Sequence, residues 1–551
     1  MLKDSVKPSV ASQLATTAQA APTITVREAV IDLLRTYGMT TIFGNPGSTE
    51  LALFLDFPDD FTYQLGLHEG ISVGMADGYA QVTRRASFVN LHSAAGVGNA
   101  MGAIFTAFKN ATPMVITAGQ QSRSILPYDP FLFSAEAAEL PKPYVKYSIE
   151  PARAQDVPQA LARAYHLAMQ QPCGPVLVSI PADDWLQPCD PDYQFTPRQV
   201  STRSAPQPEM LEHISTLLNQ AKKPAFVVGI GIDRDNAWYD TVALAEKHKA
   251  RVFTAPMCAR AAFPGDHPQF AGYLPAQREK IVAALSDHDF ILVIGAPAFT
   301  YHVQGHGPHV PPGARLAQIV DDPNIAAWTP EGDSLVCSIQ LGVQGLLERS
   351  APPKREMPTP RQLPPRAEPD SQPMSVAYLL QTFDEVRDPK SVIVEESPSA
   401  RPVMHRYMPL YHPETFYTMS SGGLGYGMSA TIGVAMGKTN ERIIGLIGDG
   451  SSMYTIQAIW HAVQLNLPIT YIIINNEGYA ALEEFAPTFG FEPGEELVGC
   501  HLPGINFVQL AGGMGCKGVQ VTDPKQLAET LKKALELPVD AGPFLVDVIV
   551  E

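Results

Sequence analysis

The chain has 551 residues, 39 of them basic and 56 acidic, for a formal charge of −17. One hydrophobic core organises roughly 250–300 residues, so two to four domains are expected. Apolar residues at 45% and charged residues at 17% exclude a generally disordered chain, and the acidic balance argues against nucleic acid or an anionic membrane as partner.

Residues 1–22 are rich in Ala, Ser, Thr and Gln and lack the apolar stretch of a secretory signal, so a loose N-terminal tail is expected. A first domain is expected over residues 23–190. Apolar positions at helical spacing predict a helix from Val26 to Tyr37, followed by a strand at Thr40–Phe43 and the turn Gly44-Asn45-Pro46-Gly47. Next come a strand at Thr62–Leu67, a helix from Glu69 to about Val82, and strands at Ser87–Leu91, Met114–Ala118 and Pro175–Ile180. A second domain, residues 206–347, offers strands at Ala225–Gly229, Arg251–Thr254, Phe290–Ile294 and Arg315–Ile319. Residues 350–373 carry eight prolines and few large apolar side chains, the composition of an exposed linker. A third domain, residues 374–551, has strands near Ser391–Val394, Ile443–Ile447, Thr470–Ile474 and Pro543–Val550. Strands alternating with helices imply βαβ units, hence an α/β fold of three doubly wound domains with parallel sheets. The six cysteines are scattered without a C-x-x-C pair, which fits neither zinc nor a disulfide framework and points to the cytoplasm. No segment is long and apolar enough to span a bilayer, so no membrane partner is expected.

Two glycine motifs do not carry function. Gly433 to Gly437, followed by Lys438-Thr439, has three residues between its glycines where a phosphate loop has four, and it follows a helical stretch. Gly229-Ile230-Gly231 lacks the third glycine of a dinucleotide site and reads as a turn.

Two further motifs belong together. The strand Ile443–Ile447 ends in Gly448-Asp449-Gly450-Ser451, and the strand Thr470–Ile474 ends in Asn475-Asn476-Glu477-Gly478. Ligands of open parallel sheets sit outside the carboxyl ends of strands. Asp449, the Asn476 carbonyl and the Gly478 backbone carbonyl make an oxygen set suited to Mg²⁺. Gly448, Gly450 and Ser451 surround a helix start whose N–H groups can meet a phosphate. G-D-G alone is a common tight turn, but 24 residues separate Gly450 from Asn475, and the pair resembles the signature of thiamine-diphosphate enzymes.

That chemistry needs a carboxylate against the aminopyrimidine ring and a bulky apolar side chain under a bent cofactor. Glu69, at a helix start beside Gly74-x-x-Asp77-Gly78-Tyr79-Ala80, stands where this family has its glutamate. Gly422-Gly423-Leu424-Gly425 offers Leu424 as the wedge, with Gly422 letting the backbone approach. His68, next to Glu69, is read as structural.

Phe43-Gly44-Asn45-Pro46-Gly47-Ser48, Asn90-Leu91-His92-Ser93-Ala94-Ala95-Gly96, Ala118-Gly119-Gln120-Gln121 and Val293-Ile294-Gly295-Ala296-Pro297 narrow the resemblance to benzoylformate decarboxylases, over nearly the whole chain from about Thr25. The resemblance implies non-oxidative decarboxylation of an aromatic 2-oxo acid through a cofactor-bound enamine. It also implies a homotetramer whose active sites lie between the first domain of one subunit and the third of another. Ser48 stands where the family's substrate-orienting serine belongs, and His92 and His302 where its proton-relaying histidines belong. Phe131, Leu132, Ala481, Leu482 and Phe485 are the pocket walls it implies. The sequence departs from the family at Glu483-Glu484, where Arg-Trp is usual, at Pro398, and at Met419-Ser420-Ser421 in place of Cys-Ala-Ala. A thiamine-dependent carboligase, of benzaldehyde-lyase or acetolactate-synthase type, is the alternative the cofactor motifs leave open. A scaffold with a decayed site is disfavoured because Glu69, Asp449 and Asn476 are all present.

Overall fold

The computed structural model describes residues 24–369, 371–492 and 494–551, so the expected tail lies outside the described residues. Thr25 opens the first helix, α1 (Val26–Thr36), through a reciprocal capping box with Glu28. The first sheet comprises β1 (Thr41–Asn45), β2 (Thr62–Leu65), β3 (Ser87–Leu91), β4 (Met114–Gln120), β5 (Ser148–Ile149) and β6 (Pro175–Pro181), ordered β2-β1-β3-β4-β6-β5. The second comprises β7 (Pro224–Val228), β8 (Arg251–Thr254), β9 (Phe270–Tyr273), β10 (Phe290–Ile294), β11 (Arg315–Val320) and β12 (Asp333–Val336), ordered β12-β11-β10-β7-β8-β9. The third comprises β13 (Ile393–Glu396), β14 (Phe416–Tyr417), β15 (Ile443–Gly448), β16 (Ile469–Asn475), β17 (Lys517–Val521) and β18 (Phe544–Ile549), ordered β14-β13-β15-β16-β18-β17. Every pairing within the three sheets is parallel. The interior strands β3, β4, β6, β7, β10, β15 and β16 are buried at every position, as expected when helices cover both faces. Three doubly wound α/β sheets are therefore observed, and the first and third share one strand order.

Those two sheets are joined by a helix pair. α2 (Glu69–Thr83) lies against α4 (Gly427–Gly437), with α3 (Ser93–Lys109) on its other flank. The contact is lined by glycine. A Cβ at Gly433 would stand 1.9 Å from the Met75 carbonyl oxygen, and one at Gly78 would stand 2.2 Å from that of Ala430. The expected non-functional status of Gly433 and Gly437 has this physical basis: both lie inside a buried helix. A polar seam accompanies the contact. Asp77, wholly buried, accepts from Gln81, from Thr112 at 2.8 Å and from Asn110 at 3.3 Å, and burial pushes it up to about 6. Gln81 also donates to the Tyr426 hydroxyl at 3.1 Å.

The second sheet has the strand order of dinucleotide folds, yet its crevice is filled. Cβ atoms at Gly229 and Gly231 would collide with Ala296 and with the Gly295 backbone. Among its described residues the proline-rich segment forms neither helix nor strand, but it is no free linker. Arg355 is 8% exposed and donates to the carbonyls of Leu218 (2.6 Å) and Ala221 (2.9 Å), which fastens the segment to the second domain. Its prolines prevent secondary structure, while its arginines supply the anchors. Among the described residues no helix is long and apolar enough to cross a membrane.

Gly433→Ala should drive α2 and α4 apart. Overpacking of this kind costs about 1–3 kcal/mol, and backbone has little room to yield, so the upper end is expected. Thermal unfolding checks it: the midpoint should fall by several degrees, and an unchanged midpoint would show that the helix contact is loose.

Candidate active site

Two groups of residues gather at the carboxyl ends of the first and third sheets. In the first sheet, β1 and β3 pair so that Asn45 stands opposite Leu91. The turn after β1 therefore meets His92, which stands at the N-cap position of α3 without a side-chain capping bond. Gly47 touches that imidazole so closely that a Cβ there would lie 2.2 Å from Nδ1. Ser48 opens a single 3-10 turn, Ser48–Glu50, and is exposed. His92 Nδ1 lies 2.9 Å from the Thr49 hydroxyl and 3.1 Å from Glu50 Oε2. Glu50 is 1% exposed and also accepts from the Gly47 N–H at 2.7 Å. Glu69, at the first position of α2 and 8% exposed, accepts from the Asn99 amide at 3.1 Å. His92 and Glu69 are neighbours across Gly96, whose Cβ would stand 3.3 Å from one and 3.5 Å from the other. His68 caps α2 by accepting from the Gly70 N–H at 3.1 Å, the structural role expected of it.

In the third sheet, β15 and β16 run in register from Ile443 opposite Ile469 to Gly448 opposite Ile474, so both motif turns emerge side by side. The helix expected after Gly450 is one turn, α5 (Asp449–Ser452). Asp449 accepts from the N–H groups of Gly450 at 2.8 Å and Gly478 at 3.0 Å, and burial pushes its carboxyl up to about 6. One atom of the Asn476 amide lies 2.9 Å from the Gly478 carbonyl oxygen and 3.2 Å from Asp449 Oδ1. Taken as nitrogen, that atom donates to both. Taken as oxygen, it makes a convergence of three oxygens, which a cation relieves. Adjacent ligands of an octahedral Mg²⁺ at ~2.1 Å stand ~3.0 Å apart, so the set fits that ion.

Gly422 (φ +75°) and Gly425 (φ +102°) adopt backbone conformations suited to glycine, and they bracket Leu424. Leu424, Gly422, Gly448, Asp449, Gly450, Ser451, Gly478, Ala481, Leu482, Phe485 and His302 all line one cavity of about 1350 Å³. His302, from the loop after β10, stands with its ring 4.7 Å from that of Phe485, which lies on α6 (Ala480–Phe485).

Ser48, Glu69, His92, Phe131 and Leu132 do not line this cavity within one chain. Phe131 is 87% exposed. The two groups are thus separate within one chain. Of the family departures, Pro398 and Glu484 line the cavity and Glu483 does not, while Ser420 and Ser421 bond Asn110 and Thr106 of the first domain. Sequence reasoning missed Glu50 and Glu396. Only the acidic end of the apolar strand β13 hinted at the second.

Comparison with known proteins follows the same division. Residues 24–136 match the N-terminal TPP binding domain of thiamine pyrophosphate enzymes, residues 211–346 their central domain, and residues 399–548 their C-terminal TPP binding domain. The chain is 41% identical over 512 residues to a benzoylformate decarboxylase of Pseudomonas aeruginosa, spanning 93% of this chain and 96% of that one. It superposes on the crystal structure of benzoylformate decarboxylase from Polynucleobacter necessarius with a TM-score of 0.91 at 38% identity, covering 96% and 98% of the two chains. The thiamine diphosphate-dependent 4-hydroxybenzoylformate decarboxylase of Rhodococcus jostii RHA1 matches with a TM-score of 0.90 at 38% identity, covering 96% and 99%. The chain belongs to the thiamine pyrophosphate enzymes, among their 2-oxo acid decarboxylases of the benzoylformate decarboxylase type.

Proposed function

We propose that this protein decarboxylates an aromatic 2-oxo acid non-oxidatively to an aldehyde and CO₂, using thiamine diphosphate and Mg²⁺. The observation that carries it is the single cavity lined by His302, Phe485, Leu424, Asp449 and Gly478, with the Asn476 amide 3.2 Å from Asp449 Oδ1. The bound cofactor supplies an electron sink for the pair released as CO₂ leaves.

Each residue then has a task. Asp449, Asn476 and the Gly478 carbonyl hold Mg²⁺, leaving its remaining positions to phosphate and water. Gly450 and Ser451 present N–H groups to the diphosphate. Glu69 holds a proton against the aminopyrimidine ring nitrogen. Ser48 orients the substrate carboxylate. His92, held by Glu50 and Thr49, gives a proton to the substrate's ketone oxygen, and His302 delivers one to the carbon that CO₂ has left. Ala481, Leu482 and Phe485, with Phe131 and Leu132 of the first domain, form apolar walls for an aromatic ring.

Glu69, Ser48 and His92 reach the cavity from a second copy of the chain, in a homotetramer with each site between two subunits. Support comes from large apolar side chains left uncovered in the same part of the first domain, Leu51 at 64% exposed and Phe131 at 87%. We place the enzyme in the cytoplasm, where its six free cysteines remain thiols.

Purified protein with the cofactor and Mg²⁺ should release CO₂ and benzaldehyde from benzoylformate; absence of CO₂ from any aromatic 2-oxo acid overturns the assignment. Asp449→Asn removes the one charge of the cation site, and Mg²⁺-dependent binding of the cofactor should weaken by about 100-fold, measured by calorimetry. Glu69→Gln and Asp449→Asn should each be nearly inactive alone. Dissociated, mixed and reassembled, they should regain about a quarter of wild-type activity, because half the dimers are mixed and each of those has one intact site of two. No recovery would place the whole site in one chain.

A further inference from the structure

Glu396 ends β13 and is fully buried, at 0% exposure. Its two oxygens are taken by backbone N–H groups far along the chain: Oε1 accepts from Gly425 at 2.6 Å, and Oε2 accepts from Gly427. Gly425 directly follows Leu424. Gly427 opens α4, and the residue at its N-cap, Tyr426, makes no side-chain capping bond. The carboxylate therefore closes a helix end from a neighbouring strand and grips the loop before it. The approach is tight. A Cβ at Gly427 would lie 2.7 Å from the Glu396 Cβ and 2.4 Å from Ile447 Cδ1, so strand and helix meet only at a glycine. On the far side, the Gly425 carbonyl accepts from Ser429 at 3.1 Å and Thr455 at 3.2 Å.

The adjacent acid behaves differently. Glu395 pairs with Arg401 at 2.8 Å, while Glu396 has no cation on either oxygen, and burial pushes it up to about 8. A buried carboxylate held by backbone alone is costly in stability, and a glutamine of the same shape would set an amide donor against an N–H. The positional demand is therefore specific to two acceptors on one rigid fork. The loop needs such a restraint, because Gly422 and Gly425 leave its backbone free to take many conformations.

We infer that Glu396 is a positioning residue for catalysis: by fixing the N–H groups of Gly425 and Gly427 it sets how far Leu424 reaches under the bound cofactor. This rests on the assignment of Leu424 as the wedge, so both residues are varied in the test. Losing one of the two acceptors should loosen the loop without unfolding α4.

Three readouts separate this from a purely structural cap. In the apoprotein, Glu396→Gln should speed amide hydrogen exchange in the peptide containing residues 424–427. In the holoenzyme, hydrogen–deuterium exchange at the thiazolium C2, read by quenched proton NMR, should slow about tenfold, equal to about 1.4 kcal/mol in barrier. Turnover should fall in parallel with an unchanged KM for the 2-oxo acid. Leu424→Ala should slow C2 exchange as well. If Leu424→Ala slows it and Glu396→Gln does not, Glu396 is only a helix cap and the inference is overturned. If neither slows it, the wedge assignment fails and takes the inference with it. Should the glutamine variant misfold, Glu396→Asp keeps the carboxyl group and retracts it by one methylene; wild-type C2 exchange in that variant likewise overturns the proposal.

Discussion

The close approach of α2 and α4 is the constraint on which the rest depends. α2 carries Glu69 at its first residue, and α4 starts three residues beyond Leu424. Both helices are fixed against each other at backbone distance because Gly78 and Gly433 have no side chain to hold them apart. The buried Asp77–Gln81–Tyr426 seam then fixes how far one slides along the other, since a shifted helix would leave a carboxyl unpaired in the core. Once the pair is set, the first and third sheets share a core, and each presents its carboxyl-terminal edge at a separate place. One rigid joint therefore yields two groups of site residues, which the proposed assembly would bring together from two copies of the chain.

The repeated strand order explains why chemistry falls where it does. In both outer sheets the functional turns follow adjacent parallel strands in register: β1 beside β3, and β15 beside β16. A parallel sheet brings such turns together without any need for nearby sequence. The middle sheet follows a different order, and its own crevice is plugged by Gly295 and Ala296. It contributes the loop bearing His302 to the cavity, together with Tyr273 of β9 and Leu274 to Gln277 beyond it.

Much of this was legible in the sequence, and the division is physical. Strands buried on both faces write continuous apolar runs, and every interior strand was predicted within a few residues. The strands left unpredicted, β5, β9, β12, β14 and β17, all stand at sheet edges and are two to five residues long; all but the buried two-residue β14 are partly solvated, where no apolar pattern is required. Asp449, Asn476 and Glu69 stood out in the sequence because the proposed chemistry requires particular side chains at strand and helix ends. Glu50 and Glu396 were not, since their partners are backbone N–H groups or a histidine brought in by tertiary folding. Residues 350–373 are mostly exposed, as expected, but their anchoring was hidden for the same reason: nothing local to Arg355 reveals the carbonyls of Leu218 and Ala221.

Both missed acids share a logic that bears on how such a site holds its shape. Glycine is needed at Gly47 and Gly427 because an imidazole or a strand end must come within contact of the backbone. The same glycines make that backbone soft. In each case a carboxylate from a neighbouring turn or strand accepts from a nearby N–H, Glu50 from Gly47 and Glu396 from Gly427 and Gly425. Apolar packing cannot do this work, because it is non-directional and a loop of glycines offers it nothing to grip. A buried carboxyl group can, at a cost in stability that the large shared core absorbs. The acids that touch the reacting groups and the acids that hold glycine in place are therefore different residues, and removal of the second kind should impair the chemistry while the fold survives.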